Sequence, residues 1–213
     1  MVPRLVSVQT GSVAPLGPER VASGIRKAAR QGVIAVSAAG LDGDEQADLE
    51  SHGGTYKAVY AYASAHFPDW AARFPAITFT GGTMGENLTI AGLTETDICV
   101  GDVHAIGSVL LEVCQPRQPC FKLNLLHDDE HLSNAMLRTF QSGWYYRVVR
   151  PGTLAAGDAV TLAARPNPDF PFARLVEIVY RKRGQRPDLL RMTDMEGLAP
   201  QWRERARGWL TNS

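Results

Sequence analysis

The chain has 213 residues, enough for one sizeable hydrophobic core, and 45% of them are hydrophobic while 21% are charged, which excludes a disordered chain. Lys and Arg together number 22, as do Asp and Glu, so the basic excess expected of a dedicated nucleic-acid binder is missing. No apolar run approaches the roughly 20 residues that cross a bilayer, and no secretory signal is visible. Three cysteines fit a reducing compartment better than a disulfide framework, so we expect a cytoplasmic protein.

The N-terminal part of the chain predicts short strands separated by glycine-rich loops. Residues 5–9 alternate between apolar and polar side chains, and residues 33–37 form a short β-branched run. A polar loop is predicted for residues 40–46. Residues 64–74 have helical spacing, but Pro68 is tolerated only in a first turn, so this helix is expected to begin after Ser64.

The clearest β signal covers residues 102–113. Apolar residues alternate on both sides of Gly107, which predicts a hairpin whose second strand runs into the stretch VCQPRQPCFKL, residues 113–123. Two further strands are predicted at residues 145–149 and 159–163. The chain up to about Arg165 is therefore expected to be mainly β.

Two later stretches predict helices. Residues 128–140 carry apolar side chains at i, i+3, i+4, i+7 and i+8, with Asp128 or Asp129 as N-cap and Gly143 as a stop. After a proline-rich boundary, RPNPDFPF, helical spacing returns in three segments up to the C-terminus. We predict one domain of residues 1–165 and a small α-helical extension of residues 169–213.

Cys120 lies on a constrained bend with positive charge nearby. Pro119 fixes the backbone before it, and Arg117 and Lys122 favour the thiolate, the form that attacks electrophiles and binds metals. A buried structural cysteine is the alternative, and the local residues alone leave both open. Cys114, at the end of a strand, and Cys99, between Ile98 and Val100, are expected to serve packing.

Two glycine-rich stretches contain polar groups suited to ligand binding. His52, Gly53 and Gly54 followed by Lys57 can offer backbone amides and an ammonium group to an anion. The loop GGTMGENL leads Glu86 and Asn87 into a strand, and an amide side chain suits recognition of a heterocycle edge. Ordinary glycine turns with a surface lysine are the competing interpretation of both stretches.

The stretch HDDEH, residues 127–131, matches a zinc-peptidase pattern with two histidines four residues apart. The aspartates that follow His127 look like a helix N-cap, which would place His127 before the helix and argues against peptidase chemistry. A structural zinc is a better alternative, although the spacings fit no standard finger. Its ligands would be Cys114, Cys120, His127 and His131.

Five stretches in this order resemble the MOSC domain: SGIRKAA, LDGDEQADLESHGG, GENLTIAGL, VGDVHAIGSVLLEV and QPRQPCFKL. Within that superfamily, the chain is most similar to the bacterial N-hydroxylaminopurine-resistance proteins (YiiM-type). The resemblance covers residues 5–165, and the tail resembles the three-helix extension of those proteins. It implies a mainly β (α+β) fold, namely a barrel-like MOSC domain with peripheral helices and a small helical extension.

The resemblance also implies that the domain binds the molybdenum cofactor, a molybdopterin. The cysteine that matches Cys120 ligates molybdenum in this family, which agrees with the softness of a thiolate ligand. The remaining candidates follow from the same comparison. Cofactor-binding candidates are Lys27, His52, Gly53, Gly54, Lys57, Gly85, Arg117 and Lys122, and Asn87 and Glu86 join Cys120 as catalytic candidates.

The implied reaction is the two-electron reduction of N-hydroxylated bases such as N-hydroxylaminopurine to amines, without pyridoxal phosphate. Electrons would come from a separate flavin-containing reductase, because the chain shows no flavin, haem or iron–sulfur motif. Trp144 or Tyr145 could also face the substrate, although core packing is the favoured role of such aromatics. The alternative is a carrier module in which Cys120 bears a persulfide or holds the cofactor for delivery.

Overall fold

The computed structural model describes residues 2–48 and 53–211, which form strands and helices as follows. The strands are β1 Arg4–Thr10, β2 Ala14–Leu16, β3 Val21–Ser23, β4 Ala28–Arg30, β5 Ile34–Ser37, β6 Gly40–Leu41, β7 Val59–Ala63, β8 Leu88–Ala91, β9 Val103–Ile106, β10 Val109–Pro116, β11 Trp144–Arg150, β12 Gly152–Leu154 and β13 Val160–Ala164. The helices are α1 Phe67–Arg73, α2 Phe121–His127, α3 Leu132–Thr139, α4 Phe172–Arg181, α5 Arg186–Met192 and α6 Pro200–Thr211. None of these helices is both long and apolar enough to cross a bilayer.

The main sheet closes on itself. Its strand order is β13-β9-β10-β11-β7-β8-β1-β4, and β7 pairs with β8 in parallel. The outer strand β13 returns to β1: Arg4 bridges to Ala159, and the Val160 amide donates to the Pro3 carbonyl at 2.9 Å. A closed sheet has few unpaired strand edges. The mainly β, barrel-like fold expected from the resemblance is therefore confirmed.

Strand β7 separates two hydrophobic cores because successive side chains of a strand point to opposite faces. Val59, Ala61 and Ala63 are buried inside the barrel. Tyr60 and Tyr62 point the other way, into a second core beneath α1, α2 and α3. The second core is what places the loop around residue 85 and the start of α2 beside the barrel.

The strand predictions agree with the structure where alternation is strong. The hairpin of residues 102–113 is confirmed as β9 and β10, and Val109, Leu111 and Val113 are all buried. The polar loop predicted for residues 40–46 is partly wrong. Gly40–Leu41 forms the short strand β6, which pairs with β5, because the chain turns back on itself immediately after Ser37.

The helix predicted for residues 128–140 is wrong at its start. Helix α2, which the sequence did not predict, occupies residues up to His127, and Asp128 ends it in the left-handed conformation with φ 52°. Helix α3 begins only at Leu132 and ends before Phe140, ahead of the predicted stop at Gly143. Asp128 therefore terminates one helix and caps no other. The helix predicted within residues 64–74 begins at Phe67, after Ser64 as expected.

The three helical segments predicted at the C-terminus are confirmed as α4, α5 and α6. Their buried side chains, including Phe172, Leu175 and Trp202, belong to the same hydrophobic cluster as the barrel interior. The amide of Phe172 also donates to the carbonyl of Ile98 at 2.8 Å. The division of the chain into domains of residues 1–165 and 169–213 stays a prediction.

Candidate functional site

One open cleft, which we call the Cys120 cleft, collects most of the predicted site residues. It is formed where the loops around residues 23–27, 44–48 and 85–87 meet the segment 117–122. These stretches are far apart in the sequence, and the barrel together with the second core brings them to one place. The predicted site residues that line it are Lys27, Lys57, Gly85, Asn87, Arg117, Cys120 and Lys122.

Cys120 occupies the position immediately before α2. Its backbone is extended, with φ −126° and ψ 170°, and its side chain is partly exposed in the cleft. The preceding proline and the helix that starts at Phe121 fix the backbone on both sides of the thiol. The non-helical backbone predicted at Cys120 agrees with this extended conformation, although a helix follows it directly.

The other cysteines are buried and engaged with backbone groups. Cys114 Sγ donates to the carbonyl oxygens of Tyr56 at 3.1 Å and Tyr145 at 3.2 Å. Burial raises the pKa of the Cys114 thiol well above its ordinary value, and burial also raises the pKa of Cys99. Both thiols therefore stay protonated, and the packing roles expected for them are confirmed.

Arg117 places a buried positive charge beside Cys120. Its guanidinium lies over the ring of Tyr60, with Cζ 4.7 Å from the ring centroid, and donates to the carbonyl of Met84. Burial alone would lower the pKa of Arg117, but Tyr60, Tyr145 and Cys120 outweigh it and the pKa is raised. No carboxylate of the residues described forms an ion pair with this guanidinium. A buried cation of this kind is suited to an anionic ligand.

The lysines of the cleft are less available than the sequence suggested. Lys27 Nζ forms a buried ion pair with Asp44, and burial lowers the pKa of Lys27 while Asp44 opposes that shift. Lys122 Nζ donates to the carbonyl of Ala22 at 3.2 Å. Burial lowers the pKa of Lys57, and the carboxylate of Asp48 opposes the change. The cleft therefore contains both acidic and basic side chains. Among the residues described, Arg117 has no acidic partner, whereas Lys27 is paired with Asp44.

The expectation that Glu86 faces the substrate is corrected by the structure. Glu86 is fully buried, and its carboxylate accepts hydrogen bonds from the amides of Gly82 at 2.9 Å and Met84 at 3.0 Å and from Thr89 Oγ1 at 2.9 Å. Burial raises the pKa of this carboxyl group, and these donors oppose the shift. Glu86 shapes the loop that precedes Asn87 and does not line the cleft.

Asn87 lines the cleft but uses its amide within the protein. Its Oδ1 accepts from the Tyr60 amide at 3.0 Å, and its Nδ2 donates to the carbonyl of Gln9 at 3.3 Å. These bonds join the loop to strands β1 and β7. These bonds use one lone pair of the amide oxygen and one N–H of the amide nitrogen, so the recognition of a heterocycle edge by Asn87 stays a prediction.

The glycine turn beside Lys57 is only partly described. His52 lies outside the described residues. Gly54 has φ 90° and precedes a short 3-10 turn, Thr55–Lys57, whose Lys57 amide donates to the Gly54 carbonyl at 2.9 Å. Gly53 and Gly54 are not among the residues that line the cleft, so the structure gives no support to the amide nest predicted there.

The proposed zinc ligands do not converge. Within the described ranges, no group of three or more His, Cys, Asp or Glu side chains is placed to hold a metal ion. Cys114 is bonded to backbone carbonyls, and His127 Nε2 lies 2.7 Å from the carbonyl of Thr83. The geometry therefore argues against the zinc alternative.

The MOSC domain family matches residues 48–161 of the chain. Protein YiiM of Escherichia coli (strain K12) is 34% identical over 199 residues, which cover 92% of this chain and 88% of that protein. This chain belongs to the MOSC domain family and is YiiM-type. The crystal structure of YiiM from Geobacillus stearothermophilus superposes with a TM-score of 0.82 at 32% identity and covers 98% of this chain and 99% of that one.

A further relative is longer than this MOSC protein. A protein of Gibberella moniliformis (strain M3125 / FGSC 7600) named "Reductase" is 37% identical over 180 residues, or 82% of this chain. The chain spans 32% of the length of that relative. MOSC domains as a class are generally associated with binding of the molybdenum cofactor.

Several residues of the MOSC cleft escaped the sequence analysis. Tyr60 lies beneath Arg117, and Asp44 pairs with Lys27. Of the two aromatic residues named from the sequence, Tyr145 lines the cleft, whereas Trp144 is buried in the barrel core. Gly24 also lines the cleft, and a Cβ there would lie 2.1 Å from the Glu45 carbonyl oxygen. Asp44 and Gly24 belong to stretches that resemble the MOSC family, and this resemblance is the feature of the sequence that could have identified them as cleft residues.

Proposed function

We propose that this MOSC protein binds the molybdenum cofactor in the Cys120 cleft and reduces N-hydroxylated bases and related compounds, such as N-hydroxylaminopurine, to amines. The observation that carries the proposal is the convergence of two groups in one open cleft. Cys120 offers a partly exposed thiol, and Arg117 offers a buried guanidinium without an acidic partner among the residues described.

The chemistry of this donor set fits the cofactor. A thiolate is a soft ligand of the kind that suits a soft metal centre, and a metal site needs it deprotonated and held in one place. The pterin carries a phosphate, for which Arg117 and Lys122 are the better placed cations, because Lys27 is already paired with Asp44. The cleft therefore offers a metal ligand and an anion partner side by side.

When bound, the cofactor supplies the two electrons that break the N–O bond, which together with two protons give the amine and water. Cys120 would hold the metal in a fixed position, since its backbone is constrained on both sides. Arg117 would neutralise negative charge in the cleft and remain protonated, because its pKa is raised. Tyr145 lies beside Tyr60, with ring centroids 5.1 Å apart, and its partly exposed ring lines the cleft as a surface against which a planar base can pack.

One part of the proposal rests on the comparison with known proteins. The relative named "Reductase" supports an oxidoreductase activity. A separate flavin-containing reductase is proposed as the electron donor, because each reduction of an N–OH group to N–H and water consumes two electrons. We place the reaction in the cytoplasm, as expected from the cysteine content.

The test is an assay on protein purified from a molybdenum-replete host. With a chemical or flavoprotein electron donor, we expect N-hydroxylaminopurine to be converted to the amine at a rate proportional to the molybdenum content. Cys120→Ser should abolish this turnover, and protein from a molybdenum-depleted host should be inactive. Stoichiometric molybdenum without turnover would favour the carrier function instead, and bound zinc in place of molybdenum would overturn both.

A further inference from the structure

The segment that leads to Cys120 is bonded on one side by the C-terminal helices. Strand β10 ends at Pro116, and Cys114, Gln115 and Arg117 each make a hydrogen bond to a residue beyond position 179. These bonds come from α4, from α6 and from Ala199, the residue before α6. Together these three hydrogen bonds fix the segment of residues 114–117 at three positions.

Tyr180, near the end of α4, makes the contact closest to Cys120. Its Oη donates to the carbonyl of Arg117 at 2.6 Å. The ring is held by Phe140, with centroids 6.0 Å apart and planes 29° from parallel. Burial raises the pKa of Tyr180, so the phenol keeps its proton and remains a donor. The bond fixes the backbone of the residue whose guanidinium faces the cleft.

Helix α6 and the residue before it bind the preceding part of the segment. The amide of Ala199 donates to the carbonyl of Cys114 at 3.0 Å, and Trp202 Nε1 donates to Gln115 Oε1 at 3.0 Å. The Gln115 side chain in turn donates through Nε2 to the carbonyl of Tyr56 at 2.7 Å, next to Lys57. Gln115 thus links α6, through a buried amide, to the residue before Lys57.

We propose that the C-terminal helices complete the Cys120 cleft, and that Tyr180 and Trp202 are positioning residues that hold the segment 114–117 so that Arg117 and Cys120 face the same ligand. The helical extension then acts as a scaffold for the site through these side chains. This role goes beyond the proposed function, and only its consequence for molybdenum retention rests on that function.

The test compares Tyr180→Phe and Trp202→Phe with the wild-type full chain by hydrogen–deuterium exchange. Each variant keeps the aromatic ring and removes one hydrogen-bond donor. We expect exchange in a peptide covering residues 114–121 to become roughly three- to tenfold faster, as for the loss of one buried hydrogen bond. Exchange in residues 88–91 of the barrel should stay unchanged.

Arg191→Ala is the matched control within the extension. Arg191 pairs with Asp169 on the surface, and among the described residues neither forms a hydrogen bond or ion pair with the segment 114–120. This variant should leave the exchange of residues 114–121 at the wild-type rate. An equal increase in Arg191→Ala, or no increase in Tyr180→Phe and Trp202→Phe, would overturn the proposal.

A second readout separates positioning from general stability. In protein loaded with the cofactor, Tyr180→Phe should change the visible absorption spectrum and speed molybdenum loss, whereas Arg191→Ala should change neither. If wild-type protein holds no molybdenum but local exchange responds as expected, the proposed function fails and the scaffold role stands. If wild-type protein holds molybdenum and Tyr180→Phe behaves like wild type in exchange and spectrum, the scaffold role fails alone.

Discussion

At the scale of single residues, the Cys120 cleft contains two buried cationic side chains, Lys27 and Arg117. Lys27 is stabilised by Asp44, whereas Arg117 donates to the carbonyl of Met84, lies over the ring of Tyr60 and forms no ion pair with a carboxylate in the described part of the chain. A buried charge without an opposite partner is unfavourable unless a ligand compensates for it. This imbalance is the physical reason for expecting an anionic ligand beside Cys120.

The buried carboxylate of Glu86 gives the first prediction. Glu86→Gln replaces an oxygen acceptor with an amide nitrogen that faces backbone donors, so the free energy of unfolding should fall by about 1–3 kcal/mol. Because Glu86 does not line the cleft, we expect kcat of cofactor-loaded protein to stay within a few-fold of wild type. Chemical denaturation and steady-state assays measure the two effects. A large loss of kcat with unchanged stability would restore Glu86 as a catalytic candidate.

His104 gives a prediction about pH. Burial lowers the pKa of His104 from 6.5 to about 4, with Asp102 opposing and Arg165 adding to the shift, and its Nδ1 lies 2.6 Å from Tyr146 Oη. Between pH 6.5 and 4 the unfolded chain binds a proton that the folded chain does not. This residue should therefore cost about 3 kcal/mol of stability as the pH falls through that window, and nothing above it.

The variant His104→Gln isolates that contribution. Urea unfolding at pH 7 and pH 4.5 should show a smaller loss of stability in the variant than in wild type, because other titrating groups contribute equally to both chains. Equal losses in the two proteins would show that His104 does not titrate as its burial requires.

At the scale of elements, the sequence predicts what depends on local pattern. The β9–β10 hairpin and the C-terminal helices follow from strong alternation or helical spacing. Helix α2 was missed because it is short and buries only Leu123 while Phe121 remains exposed, so no apolar stripe marks it. The inward direction of the Glu86 carboxylate could not be predicted either. It depends on a turn that brings the backbone amides of Gly82 and Met84 close enough to donate to that carboxylate.

The contact between the loops at Gly24 and Glu45 gives a prediction for two elements that form the cleft. In Gly24→Ala the new Cβ would lie 2.1 Å from the Glu45 carbonyl, so one loop must move. We expect weaker molybdenum retention and a loss of about 1–3 kcal/mol of stability. Gly208→Ala, on an open face of α6, is the control and should be neutral or slightly stabilising. Metal analysis and thermal unfolding of both variants check this, and similar behaviour of the two would contradict it.

At the scale of the whole molecule, the barrel and the C-terminal helices share one buried cluster. The sheet closes where the first strand of the chain, β1, meets the last strand, β13. No local pattern specifies such a long-range pairing, so the barrel was expected only through the family resemblance. The shared core was not predicted, because periodicity shows which face is apolar but not what covers it.

A prediction about cooperativity follows from this shared core. Phe172 in α4 is fully buried against the barrel, so Phe172→Ala should lower the free energy of unfolding of the entire chain by about 3–5 kcal/mol. Urea unfolding followed by far-ultraviolet circular dichroism and by tryptophan fluorescence should give coincident single transitions in wild type and variant. Two separate transitions, with only the first shifted by the mutation, would show that the extension is an independent unit.

The molybdenum content of purified protein shows directly whether Cys120 binds the metal. From a molybdenum-replete host, wild-type protein and Cys114→Ala should contain molybdenum and pterin in amounts close to equimolar with the chain, because Cys114 is buried against backbone carbonyls. Cys120→Ala should lose nearly all of the molybdenum while remaining folded. Equal molybdenum in the two cysteine variants, or zinc in place of molybdenum in the wild type, would contradict the assignment of Cys120 as the metal ligand.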